Sequence, residues 1–356
     1  MNKASYTTDV PEDRFELVNV ILHTPKRPLR VMLIGGSDSG KTTLLTFLAN
    51  ELIKDGLRVA VVDSDVGQKG ILPPATVSFA LPDGPFSNPS ELSGTAHYFI
   101  GTTSPGQYVG EMAVGVERLV NGASSLADVV LIDTTGFVTG PGAEMKRLKV
   151  ELIKPELTVV LERRGEMKYL SKLLTPYTKV IRLGISPHVR EHSPNERGSV
   201  REEKWRAYFA GSSLAEVDLG ELAVGGISLF QGRPLSTQEK ELFSSVFGWL
   251  VLAGWKGERY TVIKSDVGRF PRHYNRFSLR AIDFEKMSNL IVGFVDKTGL
   301  CLGLGILKWI NFSSRVAQVL TPLPQEVLEN TVELRFGRIR VLETGEELGL
   351  IGRDEL

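Results

Sequence analysis

Residues 35–42 read Gly35-Gly36-Ser37-Asp38-Ser39-Gly40-Lys41-Thr42, the full G-x-x-x-x-G-K-[ST] spacing. In this pattern the glycines let backbone N–H groups close around a polyphosphate. Lys41 reaches the β- and γ-oxygens, Thr42 offers its hydroxyl to Mg²⁺, and the helix that starts here favours the anion with its N-terminal field. Gly35 through Thr43 are therefore the candidate nucleotide-binding residues. A second motif follows at Asp63-Ser64-Asp65-Val66-Gly67-Gln68, and a third carboxylate stands in Asp133-Thr134-Thr135-Gly136. A plain nucleotide switch has no obvious use for two carboxylates after its second strand. Phosphoryl transfer to a hydroxyl acceptor does, because that hydroxyl must lose a proton.

These residues need a frame that brings three loops to one place. From Leu29 onward, apolar runs alternate with helical segments, the mark of a parallel sheet with crossover helices. The pattern predicts strands at Arg30–Ile34, Arg58–Asp63, Ala96–Gly101, Asp128–Asp133, Leu157–Leu161 and Lys179–Leu183. Helices are predicted at Lys41–Lys54, Gly106–Asn121, Ala143–Ile153 and Met167–Leu174. In such a sheet, the loops at the carboxyl ends of neighbouring strands share one crevice. Side chains at i and i+2 of an extended segment share a face, so Asp63 and Asp65 are both expected to point there. An Asp ending an apolar strand in such a protein usually holds Mg²⁺, so Thr42, Asp65 and Asp133 are the metal candidates. One of the three carboxylates remains to take the acceptor's proton.

Residues 1–28 are polar, with prolines at 11, 25 and 28, and are expected to form an extension lying on the next domain. Near Gly211 the pattern changes. A short helix, Ser236–Leu252, is followed by strand-like segments, including a hairpin from Leu290–Val295 through Asp296-Lys297-Thr298-Gly299 to Leu300–Leu307. The expected fold class is α/β: a P-loop parallel sheet with crossover helices over 29–211, then a smaller β-rich domain over 212–356.

The chain has 356 residues, 42% of them hydrophobic, and Lys+Arg equals Asp+Glu at 42 each. Nucleic-acid contact, if any, must come from a local patch and not from an overall field. The single cysteine, Cys301, leaves no intramolecular disulfide and fits a reducing compartment. No apolar stretch has transmembrane length and residues 1–20 lack a signal peptide's apolar core, so a soluble cytoplasmic protein is expected. The final Arg353-Asp354-Glu355-Leu356 resembles a retention tail that, without such a signal, has no reader.

Positive groups must also neutralise the transferring phosphoryl, and a closing lid commonly carries them. The candidate is the segment 188–206, where Arg197 and Arg201 stand four apart and share a face if helical. Interleaved glutamates make a salt-bridged surface helix an equally good reading. The same segment contains His188-Val189-Arg190-Glu191-His192, a zinc-peptidase spacing without the long helix or further ligand that such a site needs. Residues 264–280 combine five Lys/Arg with interleaved aromatics, a composition suited to single-stranded nucleic acid or, alternatively, to an edge strand with solvated charges.

Taken together, Gly35–Thr42, Asp63–Gln68, Gly101-Thr102-Thr103-Ser104-Pro105, Asp133-Thr134-Thr135-Gly136-Phe137-Val138-Thr139-Gly140 and the arginine segment ending Tyr208-Phe209-Ala210-Gly211 resemble a known family. They are similar to the polynucleotide 5′-hydroxyl kinases of RNA 3′-end formation, tRNA splicing and rRNA processing, and the layout resembles the short archaeal members. The resemblance implies ATP- and Mg²⁺-dependent transfer to the 5′-hydroxyl of single-stranded RNA or DNA, with RNA-processing proteins as possible partners. It implies Lys41 and Thr42 on ATP and metal, Asp65 as base with Asp63 in the catalytic set, and Arg197 and Arg201 over the phosphates. Gln68, Thr102, Thr103, Ser104 and Phe137 then contact the acceptor, Phe137 standing where many relatives stack a tryptophan on the terminal base. Two other readings stay open: a P-loop ATPase switch, disfavoured by Gly36 where those proteins typically place a lysine, and a non-catalytic ATP-binding RNA-processing subunit.

Overall fold

A computed structural model describes residues 10–266 and 274–356, which divide into two compact units, the first ending at Lys204 and the second running from Trp205 to Leu356. The division falls inside a helix, a few residues before the composition change at Gly211. Residues 267–273 of the basic and aromatic stretch 264–280, with Arg269, Phe270 and Arg272, lie outside the described residues. Among the described residues no helix is long and apolar enough to cross a membrane.

The first unit opens with α1 (Glu12–His23), then β1 (Leu29–Gly35), α2 (Lys41–Lys54), β2 (Val59–Ser64), β3 (Thr76–Ala80) and β4 (Ala96–Phe99). It continues with α3 (Val109–Ser124), β5 (Val129–Thr134), α4 (Pro141–Ile153), β6 (Leu157–Glu162), α5 (Lys168–Leu174), β7 (Lys179–Gly184) and the start of α6 (Pro194–Phe209). The sheet order is β4-β3-β2-β5-β1-β6-β7. Strands β2, β5, β1, β6 and β7 run parallel, as their βαβ connections require. These five strands are fully buried apart from β7 and part of β1, which explains their near-continuous Val, Ile and Leu runs.

Two features depart from the sequence pattern. Strand β3 was not expected, and β4 joins it antiparallel, so the sheet carries a hairpin on one edge. The run Thr76-Val77-Ser78-Phe79-Ala80 hides its strand character behind two hydroxyls. Both are buried and bonded, Thr76 Oγ1 donating to the Pro73 carbonyl and Ser78 Oγ meeting His97 Nδ1 at 2.8 Å. The polar N-terminal stretch also contains α1, whose Leu17, Val18 and Ile21 enter the same core as β1 and α2. Phe15 meets Phe47 of α2 edge-to-face at 5.1 Å.

The second unit holds β8 (Ser213–Asp218), β9 (Ala223–Gly225), β10 (Arg233–Pro234), α7 (Thr237–Phe247), β11 (Trp249–Lys256), β12 (Tyr260–Asp266) and β13 (Leu279–Asp283). Then come β14 (Leu290–Asp296), β15 (Cys301–Asn311), β16 (Val316–Thr321), β17 (Thr331–Val341) and β18 (Glu347–Leu350). One sheet follows the order β18-β17-β14-β15-β16-β8 with β9 beside β17, and a smaller one β10-β11-β12-β13. The β14–β15 hairpin lies where the sequence placed it. Helix α7 is shorter than expected: Gly248, at φ 71°, caps it in the left-handed region, and the chain leaves as β11.

Because Ile21 is fully buried in the first core, Ile21→Ala should cost about 2–5 kcal/mol. Urea denaturation of the full chain measures this; an unchanged midpoint would show that α1 merely lies on the surface.

Candidate active site

Strand β2 runs beside β5 with Asp63 opposite Asp133, and β5 runs beside β1, whose end is Gly35. The parallel register thus brings the P-loop and the carboxylate-bearing loops to one edge of the sheet. Asp133 is buried. Its Oδ2 accepts from Thr42 Oγ1 at 2.5 Å and its Oδ1 from the Thr134 N–H at 2.8 Å. Burial pushes the Asp133 carboxyl up to about 6, with Lys41 and the Thr42 hydroxyl working in the opposite direction. Lys41 folds across its own loop and donates to the Gly36 carbonyl at 2.7 Å.

Asp63 and Asp65 do not share an environment. β2 ends at Ser64, so the strand alternation that would have aimed both into the crevice stops between them. Asp63 is 4% exposed. Its Oδ1 accepts the Asp65 N–H at 3.0 Å, and its Oδ2 accepts the Gly70 and Ile71 N–H groups at 2.6 and 2.9 Å. Lys69 Nζ lies 3.2 Å from the same Oδ2. That carboxylate is committed to the chain around it. Asp65 is half-buried, and its Oδ1 takes the Gly67 and Gln68 N–H groups at 3.0 Å each, closing a tight turn with Gln68 exposed at its tip.

The remaining motif residues gather at this edge. A Cβ on Gly67 would stand 3.3 Å from the Thr103 carbonyl, so the loop Gly101–Pro105 lies against the Asp65 turn. Within that loop the Ser104 N–H donates to buried Thr102 Oγ1 at 3.1 Å. The Phe137 ring sits 3.9 Å from where a Gly106 Cβ would stand. Gly136 meets the P-loop: a Cβ there would lie 2.4 Å from Ser37 Oγ and 2.6 Å from Ser37 N. The segment before α6 and its first turn close on the other side of the P-loop. Asp38 accepts the His192 main-chain N–H at 3.2 Å, faces His192 Nδ1 at 3.0 Å and pairs with Arg197 Nη1 at 2.9 Å. Arg201 lies one turn on and reaches back to the Arg197 carbonyl at 3.5 Å. Arg190 pairs with Glu196 and Arg163 with Glu191, so surface pairing and proximity to the P-loop coexist in this segment.

A set of buried lysines at this site belongs to none of the sequence motifs. Lys146 and Lys149 of α4 are fully buried and face neutral oxygens: Lys146 donates to Thr135 O at 2.8 Å and Oγ1 at 3.1 Å, and Lys149 to Ser64 Oγ at 3.2 Å. Ser64 Oγ in turn donates to the Asp133 carbonyl at 2.7 Å. Burial brings Lys149 down to about 7, against the pull of Asp65, Asp133 and Asp63, and lowers Lys146 well below the ordinary lysine range. The available signal was helical phase: Lys146, Val150 and Ile153 stand at i, i+4 and i+7 on the apolar stripe.

Comparisons with known proteins bear on the family and the fold. A family model described as the mRNA cleavage and polyadenylation factor CLP1 P-loop matches residues 35–211. A polyribonucleotide 5′-hydroxyl-kinase of Thermococcus kodakarensis is 58% identical over 356 residues, spanning all of both chains. The chain belongs to the polyribonucleotide 5′-hydroxyl-kinase family. A second member, from Methanocaldococcus jannaschii, is 45% identical over 100% of this chain and 99% of its own. The fold of this chain resembles that of a chain in the solved structure of the wild-type Clp1p–Pcf11p complex, at TM-score 0.58 and 14% identity over 92% of this chain and 79% of that one.

Two outcomes follow from the geometry. Gly136→Ala must push a methyl into Ser37, so it should weaken binding of a fluorescent ATP analogue about 10-fold or more, equivalent to about 1.4 kcal/mol; unchanged affinity would mean the P-loop does not depend on this contact. A lysine whose folded pKa lies below its unfolded value binds its proton less tightly when folded. Stability should therefore rise with pH from about 7 to 10.5. Lys149→Met should flatten that rise in urea denaturation across the window, and an unaltered slope would contradict the burial-driven shift.

Proposed function

We propose that this chain transfers the γ-phosphate of ATP to the 5′-hydroxyl of single-stranded RNA. The observation that carries the reading is the Asp65 turn. A half-buried carboxylate, pinned by the Gly67 and Gln68 N–H groups, stands in a turn that lies against the loop Gly101–Pro105. The full-length similarity to kinases named for that reaction supports it.

The P-loop Gly35–Thr43 holds the ATP phosphates, with Lys41 turning from the Gly36 carbonyl to the β- and γ-oxygens. The hydroxyl of Thr42 and the carboxylate of Asp133 form a hard oxygen pair that would hold Mg²⁺, which leaves Asp65 to face the acceptor. Bound there, Mg²⁺ supplies neutralisation of phosphate charge. Asp65 accepts the proton of the 5′-hydroxyl as its oxygen bonds to the γ-phosphorus; the β,γ-bridging bond breaks and ADP leaves. Arg197 and Arg201 exchange protein partners for phosphate oxygens. Asp63 holds the turn and does not touch substrate. Thr102, Thr103, Ser104 and Gln68 line the acceptor strand, and Phe137 offers a ring to its terminal base. A cytoplasmic location among RNA-processing partners goes with this role, and DNA ends are a secondary acceptor.

The test is γ-labelled ATP with Mg²⁺ and a single-stranded RNA bearing a 5′-hydroxyl. Label should appear on that strand and not on a 5′-phosphorylated copy, and Lys41→Ala should lower transfer by about 10³-fold or more. Phe137→Ala should chiefly raise KM for RNA. ATP turnover that ignores RNA would point to a switch instead, and ATP binding without transfer to a structural subunit.

A further inference from the structure

Lys69 directly follows the Asp63–Gln68 motif and is among the largest fully buried side chains of the protein. Its ammonium donates to the Asp63 carbonyl at 2.8 Å and pairs with Asp63 Oδ2 at 3.2 Å. The same carboxylate holds the N–H groups of Gly70 and Ile71 on Oδ2 and of Asp65 on Oδ1. Asp63 is therefore the hub of the segment 63–71, and Lys69 fixes which way that hub is turned. The Lys69 carbonyl, in turn, accepts the ammonium of Lys204 on α6.

A buried ion pair of this kind adds little net stability, because desolvation offsets the attraction. What it does set is orientation. Two oxygens of Asp63 face four donors, and a rotation of the carboxylate would release the Asp65 N–H and with it the turn. Displacement of a reacting group by about 1 Å can cost about 10²-fold in rate. On α6, Arg197 reaches the P-loop through Asp38 while Lys204, seven residues on and about 10 Å along the helix axis, reaches the Asp65 turn. One helix thus touches both the phosphate-donor side and the acceptor side.

We propose that Lys69 is a positioning residue for phosphoryl transfer: it acts through Asp63 to hold Asp65 against the acceptor hydroxyl, and Lys204 ties the lid helix to the same turn. The inference rests on Asp65 being the base.

The experiment is a double-mutant cycle in the full chain, read by single-turnover transfer from γ-labelled ATP to a 5′-hydroxyl RNA. Lys69→Met should lower transfer by about 10- to 100-fold while KM for ATP moves less than about 2-fold. Lys69→Arg should restore part of the rate, and Lys204→Met should show a smaller loss. In the Asp65→Asn background, Lys69→Met should add less than about 2-fold, because the group it positions is already gone. If Lys69→Met fails to fold through the unpaired Asp63, the neutral pair Asp63→Asn/Lys69→Met removes both charges and should fold with transfer still reduced. Wild-type transfer by Lys69→Met or by the neutral pair would overturn the proposal, as would an undiminished effect of Lys69→Met on Asp65→Asn. Wild-type transfer by Asp65→Asn alone would instead remove the base assignment.

Discussion

The site depends on one buried carboxylate. Asp63 has left water, and a charge in that position survives only if its lone pairs are met. They are met by three backbone N–H groups and one ammonium, all from residues within eight positions of it in the chain. That requirement shapes the turn that carries Asp65. The parallel pairing of β2 with β5 then sets Asp63 beside Asp133, and Asp133 holds the first turn of the P-loop helix through Thr42. The P-loop after β1 and the Asp65 turn after β2 are thereby held on either side of β5 in one sheet.

Around this frame lies a buried, lysine-rich floor. Lys69, Lys146 and Lys149 are all buried. Burial raises the Asp133 carboxyl and lowers the lysines, the paired outcome expected when both signs leave water. Lys146 and Lys149 face neutral oxygens, so they stiffen the ends of β2 and β5 by hydrogen bonding. An anionic substrate arriving above such a floor meets groups able to respond to its charge.

Much of this was legible in the sequence because the signals are local. The P-loop spacing, the apolar runs of the buried parallel strands and the Asp63–Gln68 motif each announce themselves within a few residues. The β14–β15 hairpin likewise carries its own turn. What escaped was set by tertiary partners. Strand β3 is masked by hydroxyls whose hydrogen bonds only the fold supplies, and α1 was hidden by polar residues on its outer face. Asp63 and Asp65 look equivalent as letters two apart, yet the strand ends between them and one turns inward. Lys69 and Lys204 carry no motif, because what they hold is a carbonyl and a carboxylate brought near by folding.

The central claim is that Asp65, and not Asp63 or Asp133, meets the hydroxyl that is phosphorylated. It is tested most directly by a crystal structure with a non-hydrolysable ATP analogue, Mg²⁺ and a short RNA bearing a 5′-hydroxyl. The 5′-oxygen is expected within about 3 Å of an Asp65 carboxylate oxygen and in line with the γ-phosphorus, with Asp63 still bonded to Lys69. A 5′-oxygen held by Asp63 or Asp133, with Asp65 turned away, would contradict it.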